Sequence, residues 1–114
     1  MQRSSSFGGS SVDLKEPLDI RKLVNDVANQ FQADHGIPIS PLSREELIKP
    51  ALPHREAVEL ALESGEITRD FLEESVRTVF ENAKEIAQSK GRRDIGEDIT
   101  RASMKRYCPY LFWC

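Results

Sequence analysis

The stretch "AKEIAQSKGRRDIGEDITRA", residues 83–102, reads as the end of one helix, a glycine stop, a short basic loop and the start of a second helix. Glycine after a periodic apolar segment is a frequent helix end, because it adopts the left-handed conformation without steric cost. The stretch therefore predicts a helix–loop–helix unit. It also places Arg92 and Arg93 side by side at the corner of a chain whose net charge is -3.

The helix that leads into this corner is predicted to be the longest of the chain, from about residue 69 to residue 90. Its apolar positions step by four and three residues, which is typical of a helix with one buried face. They are Leu72, Val76, Val79, Ala83 and Ile86. Asp70 and Glu73 form a candidate capping box at its start. A last helix is expected from about residue 96 to residue 107, with Ile99 and Ala102 buried.

Three shorter helices are predicted upstream. The first begins near Pro17, carries apolar residues at helical spacing and stops at Gly36. Ser43 with Glu46 is a candidate capping box for a brief second helix, which Pro50 is expected to end. A third helix is expected over about residues 53–64, ended by glycine. Its inward positions are expected to be Ala57, Val58, Ala61 and Leu62.

These patterns predict an all-α protein of four to five helices with the helix–loop–helix at its C-terminal end. Residues 1–12 hold five serines and two glycines, so too little apolar surface is available to offset the entropy of ordering, and a disordered tail is expected. Residues 13–114 are expected to form a single helical domain. No strand-period stretch of useful length and no internal repeat is apparent.

The charge is unevenly distributed along the chain. Residues 84–106 carry seven basic and four acidic side chains, a balance of +3, so the remainder carries -6. A polyanionic partner would therefore meet the C-terminal third. No apolar run approaches the ~20 residues that a membrane helix needs. Cys108 and Cys114 could cross-link only the last residues, which favours a reduced, cytoplasmic protein.

The helix–loop–helix resembles the second half of a histone fold, as in archaeal histones and their bacterial relatives. The residues that carry the resemblance are Ala87, Gly91, Ile95, Ile99 and Ala102. The resemblance covers about residues 59–106. It implies that a loop residue pairs as a short strand with another loop, and that Arg92 clamps Asp98 at the start of the last helix. The pattern is also similar to the small C-terminal helical domain of the light-independent protochlorophyllide reductase subunit, which has no DNA role.

Departures from the histone pattern bear on function. The Ile95–Ile99 spacing is one residue shorter, and the central helix is shorter than a histone helix. Asp94 stands where histones place a threonine that faces phosphate, and a carboxylate there repels phosphate. A histone-like DNA-binding protein would use Lys90, Arg92 and Arg93 as phosphate contacts, and this is the chief alternative function.

Other candidate sites are weaker. His35 and His54 lack partners at metal-ligand spacing, so no metal or other cofactor is expected, and no catalytic arrangement is apparent. Five residues separate Cys108 from Cys114, which leaves a small redox or metal protein as a further alternative.

The last residues are unusually aromatic. They are Tyr107, Tyr110, Phe112 and Trp113. They are expected either to complete the core or to dock onto a partner or a second copy, since Trp and Tyr are common interface anchors. The sequence as a whole favours a non-catalytic module for protein–protein interaction or dimerisation.

Overall fold

The computed structural model describes residues 18–107, and these form five α-helices and one short 3-10 turn, which confirms the all-α prediction. The elements are α1 (Ile20–His35), α2 (Pro41–Ala51), the 3-10 turn (Leu52–His54), α3 (Arg55–Ser64), α4 (Arg69–Ser89) and α5 (Glu97–Arg106). Residues 1–12, both cysteines and three of the four terminal aromatic residues lie outside the described part of the chain.

Two helix–loop–helix units make up most of the fold: α1 with α2, and α4 with α5. Each unit has a long helix, a glycine with positive φ and an isoleucine two residues before the next helix. The glycines are Gly36 (66°) and Gly91 (71°). Ile39 and Ile95 form a parallel β-bridge, the single β contact within residues 18–107. The Ile95 amide donates to the Pro38 carbonyl (2.9 Å), and the Ser40 amide donates to the Ile95 carbonyl (3.1 Å). The sequence showed no internal repeat, because the two units share a backbone course rather than residue types.

The two units lie side by side and run in the same direction. Between α1 and α4, the rings of Phe31 and Phe80 are 6.0 Å apart, and one turn further His35 meets Lys84. Within the second unit, α5 runs back along α4, and the Ser103 hydroxyl donates to the Val79 carbonyl at 2.7 Å. The helices α2 and α5 also contact each other, so the bridged loops sit at one end of a four-helix arrangement.

One continuous core joins the two units. Its largest fully buried side chains are Phe80, Leu47, Ile48, Ile95 and Ile99. The bridge residue Ile95 and its neighbour Ile99 are as buried as the helix-centre residues, which shows that the loop pair belongs to the core. Burying a side chain of this size stabilises the fold by roughly 1.5–3 kcal/mol.

The starts of two helices differ from the sequence predictions. Helix α2 begins at Pro41, and the Ser40 hydroxyl caps it by accepting from the Ser43 amide at 3.1 Å. The predicted cap residue Ser43 instead lies buried inside the helix. At α4 the Thr68 hydroxyl accepts from the Phe71 amide at 3.0 Å, so the predicted Asp70–Glu73 box does not form the cap. In both cases a hydroxyl residue just outside the predicted start is the true cap.

The end of α2 also differs. Pro50 lies inside the helix, which continues to Ala51, and the chain then passes through the 3-10 turn before α3 begins at Arg55. A proline removes one helical N–H. Because only one helical residue follows, the loss is confined to the last turn. Within α3, Val58 and Ala61 are buried as expected, but Ala57 is exposed.

Helix α5 packs through hydroxyl groups as well as apolar ones. Ile99 is buried as predicted, but its buried companions are Thr100 and Ser103, whereas Ala102 is only partly buried. The Thr100 hydroxyl is hydrogen-bonded to the Ser43 hydroxyl of α2, and both side chains are fully buried. A small polar side chain can occupy the core when a hydrogen bond to a partner offsets the cost of its desolvation.

We predict that Thr100→Val lowers the free energy of unfolding by about 1–3 kcal/mol, because it leaves the buried Ser43 hydroxyl without a partner. Urea denaturation measures the loss. The double variant Ser43→Ala with Thr100→Val should lose less than the sum of the two single variants. Losses that add within ~0.3–0.5 kcal/mol would contradict a direct hydrogen bond.

Candidate functional site

The paired loops, residues 36–40 and 90–96, bring together the side chains to which the sequence pointed. Ile37 and the two bridge isoleucines are buried in the core, whereas the other loop side chains are at least partly exposed to solvent. Lys90 and Arg93 are exposed, whereas Arg92 is half-buried. This arrangement places three cations on one corner, and their chemistry depends on what each one contacts.

Arg92 contacts two carboxylates at once. Its Nε is 3.2 Å from Asp94 Oδ1, and its Nη1 is 3.3 Å from Asp98 Oδ2. The contact therefore links the loop to the first turn of α5. Gly96 makes it sterically feasible, because a Cβ there would lie 3.0 Å from the guanidinium and 3.1 Å from the Asp98 carboxylate. We call Arg92, Asp94 and Asp98 the loop clamp.

The electrostatics of the loop clamp favour its charged state. Hydrogen bonding and charge attraction to Asp94, and then to Asp98, hold the pKa of Arg92 above its ordinary value. Burial by itself would raise the pKa of Asp98, but the Ile99 amide and the Arg92 guanidinium outweigh it, so the pKa of Asp98 is lowered. The Asp98 side chain is 61% exposed, so solvent screens this pair strongly.

The loop clamp limits what the corner can offer to a polyanion. Arg92 is already engaged, and Asp94, Glu97 and Asp98 lie within a few residues of Lys90 and Arg93. Binding to a nucleic acid draws on several phosphate contacts together. A corner whose cations are matched by nearby carboxylates is poorly suited to that role.

A second ion pair, which the sequence did not reveal, joins the two units beside the loops. Arg101 of α5 lies 3.1 Å from Glu46 of α2 and 3.4 Å from Glu97. The contact to Glu46 raises the pKa of Arg101 above its ordinary value. Glu46, expected to cap its own helix, thus contacts a residue far along the chain. The Arg101–Glu46 contact depends on the packing of α2 on α5, which the sequence alone does not reveal.

Arg44 occupies the most elaborate polar cluster. It donates to the side-chain oxygens of Asn29 (2.9 Å), Gln32 (2.9 Å) and Asn25 (3.3 Å), and to the Ile39 carbonyl (3.3 Å). Gln32 also accepts from the Ile39 amide at 2.7 Å. Partial burial lowers the pKa of Arg44. The amide residues lie on one face of α1, a spacing that could have signalled a polar contact.

His35 and His54 do not form a metal site. No group of three His, Cys, Asp or Glu side chains within residues 18–107 could hold a metal ion. His35 instead stacks on Phe31, with ring centroids 4.1 Å apart, and its Nδ1 lies 3.2 Å from Lys84 Nζ. An ammonium group can only donate, so the Nδ1 atom is the acceptor in this contact.

Large apolar side chains are exposed on consecutive elements. Leu60 of α3 is 66% exposed, and Leu52 and Phe71, on the elements before and after α3, are each 43% exposed. Leu42, at the start of α2, is 58% exposed. Tyr107, the one described residue of the predicted aromatic docking set, is partly buried and packs against the core.

No protein-family model, curated protein or solved structure matches the chain. The loop pairing that the histone resemblance implied is present between Ile39 and Ile95 of one chain, but a histone relationship stays an expectation. Among the helices formed by residues 18–107, none is long and apolar enough to cross a membrane.

We predict that Asp98→Asn lowers the thermal midpoint at pH 7 by a small amount, because the exposed ion pair with Arg92 is lost. A carboxylate with a lowered folded pKa stabilises the fold above its unfolded pKa of ~3.9, and this stabilisation disappears as pH falls through the folded value. The midpoints of the variant and the unchanged protein should therefore converge as the pH falls below the folded pKa of Asp98. Differential scanning calorimetry from pH 7 to pH 2 measures this, and a pH-independent difference would contradict it.

We also predict that duplex DNA binds no tighter than about 10 µM at physiological salt, since the exposed cations are matched by nearby carboxylates. Fluorescence anisotropy with a labelled duplex from 50 to 200 mM salt measures the affinity. Sub-micromolar binding that weakens steeply with salt, and that disappears in Arg92→Ala with Arg93→Ala, would restore the DNA-binding alternative.

Proposed function

We propose that this protein is a non-catalytic helical module that binds another protein chain through the outer side of α3. The proposal depends on one observation: α3 carries more apolar surface than the core of its own domain covers. Val58 and Ala61 are buried, while Leu60, two positions after Val58, is 66% exposed.

The excess apolar surface follows from the sequence of α3. At 100° per residue, its five apolar residues cover about 200° of the helix circumference, a wider arc than one packing face needs. They are Ala57, Val58, Leu60, Ala61 and Leu62. The middle of this arc packs inward, which leaves Ala57 and Leu60 together at one edge. We call Ala57 and Leu60 the apolar flank.

The surroundings of the apolar flank suit a protein partner. Leu52 and Phe71 add exposed apolar surface on the elements before and after α3. The exposed carboxylates Glu56 and Glu63 lie on the neighbouring side of the helix. An apolar centre with a charged rim is the usual composition of a protein–protein interface.

We predict that Leu60→Glu abolishes association without unfolding the domain. The side chain is already exposed, so the change costs little in the monomer, whereas a carboxylate buried in an apolar interface carries a large desolvation penalty. Sedimentation velocity over a concentration series, with the purified protein alone and then with any co-purifying protein, measures association. Circular dichroism checks the fold.

The matched control is Leu42→Glu. Leu42 is the other strongly exposed leucine, but it lies at the start of α2 rather than beside α3. The control should associate as the unchanged protein does. If both variants associate like the unchanged protein, or if the unchanged protein neither self-associates nor retains a partner, the proposed function is wrong.

A further inference from the structure

We infer that the apolar flank binds the aromatic segment of a second copy of this chain, residues 108–113, next to the basic last turn of α5. The inference rests on the proposed function and names the partner. It joins two features that the fold leaves separate: an apolar surface with acidic neighbours on α3, and a basic helix end that leads into an aromatic sequence.

Helix α5 leads directly into the aromatic part of the sequence. Ser103 meets Val79 in the middle of α4, and α5 ends one turn later, where Tyr107 takes an extended conformation (φ −135°, ψ 112°). The next six residues include Tyr110, Phe112 and Trp113. An extended segment of six residues reaches about 20 Å, enough to lie along a helix as short as α3.

The charges of the two surfaces are complementary. The exposed residues Lys105 and Arg106 contribute +2 to the last turn of α5. Residues 55–66 carry Arg55 against Glu56, Glu59, Glu63 and Glu66, which is +1 with -4, a balance of -3. Opposite charges at the rim of an interface steer the two surfaces together and fix their orientation.

A second copy fits this pairing better than the same copy does. Helix α5 packs on α4 and α2, and within residues 18–107 no ion pair joins Lys105 or Arg106 to α3. Lys105 and Arg106 are therefore held on α5, which has no extensive contact with α3. In a second copy both surfaces are free to approach together. In a two-fold dimer, the aromatic segment of each copy would bind the apolar flank of the other, so the same contact forms two times.

The chain contains a single tryptophan, Trp113, so its fluorescence reports on the aromatic segment alone. We expect the purified protein to be a dimer whose Trp113 emission is blue-shifted relative to the guanidinium-unfolded chain. Dilution should shift the emission to the red at the same concentrations at which sedimentation shows dissociation. Leu60→Glu should weaken the dimer at least about ten-fold and shift Trp113 to the red, and the control Leu42→Glu should do neither.

The charge pairing has its own test. The double variant Lys105→Glu with Arg106→Glu should dimerise poorly, and so should Glu63→Lys with Glu66→Lys. An equimolar mixture of the two should form a heterodimer. In one of its two contacts the introduced glutamates of the first variant face the introduced lysines of the second, and the other contact keeps the original residues. A mixture that remains monomeric at concentrations where the unchanged protein is dimeric would overturn the assigned charge pairing.

A chain that stops after Tyr107 separates this inference from the proposed function. A monomeric truncated chain supports the inference. If the truncated chain still dimerises and Leu60→Glu dissociates it, the apolar flank binds a different surface and only this inference is wrong. A monomer at all concentrations whose buried Trp113 responds to Leu60→Glu would overturn the second copy in favour of the same chain. Exposed Trp113 in a stable dimer would also overturn it.

Discussion

The parallel bridge between Ile39 and Ile95 is the contact on which the arrangement of the helices depends. Two backbone hydrogen bonds join the loops, and both isoleucines enter the core directly beneath them. Because each loop opens a helix, the bridge also sets the positions of α2 and α5. Other polar contacts support this end of the fold: Arg44 holds the first loop, and the loop clamp holds the second.

The polar contacts at this end of the fold contribute differently to its stability. The Ser43–Thr100 hydrogen bond is fully buried, so removing either hydroxyl leaves its partner without hydrogen-bonding water. The Arg101–Glu46 pair and the loop clamp are exposed, where salt and water weaken the attraction. We therefore assign the specificity of the α2–α5 contact mainly to the two hydroxyl groups.

The arginines of the loop corner and Leu60 of α3 illustrate how neighbouring residues decide what a side chain can contact. Arg92 looks like a phosphate ligand in the sequence, yet its guanidinium is occupied by two carboxylates. Leu60 was not among the inward positions expected for α3, and it lies on the side of the helix that the core does not reach. The surface available to a partner is therefore apolar with acidic neighbours, which supports a protein partner over a nucleic acid.

Local rules determined the helices of this protein, and only the tertiary structure decided their contacts. The periods of Leu72, Val76 and Val79 predicted α4, and Gly36 and Gly91 marked helix ends, because these signals act within a few residues. Cap positions shifted by a few residues, since more than one residue near each helix start can accept from an amide of the first turn. Two contacts join residues distant in sequence: the Ile39–Ile95 bridge and the Ser43–Thr100 hydrogen bond. The exposure of Leu60 likewise depends on which elements pack against α3. They follow from how the two units pack, which no local period encodes.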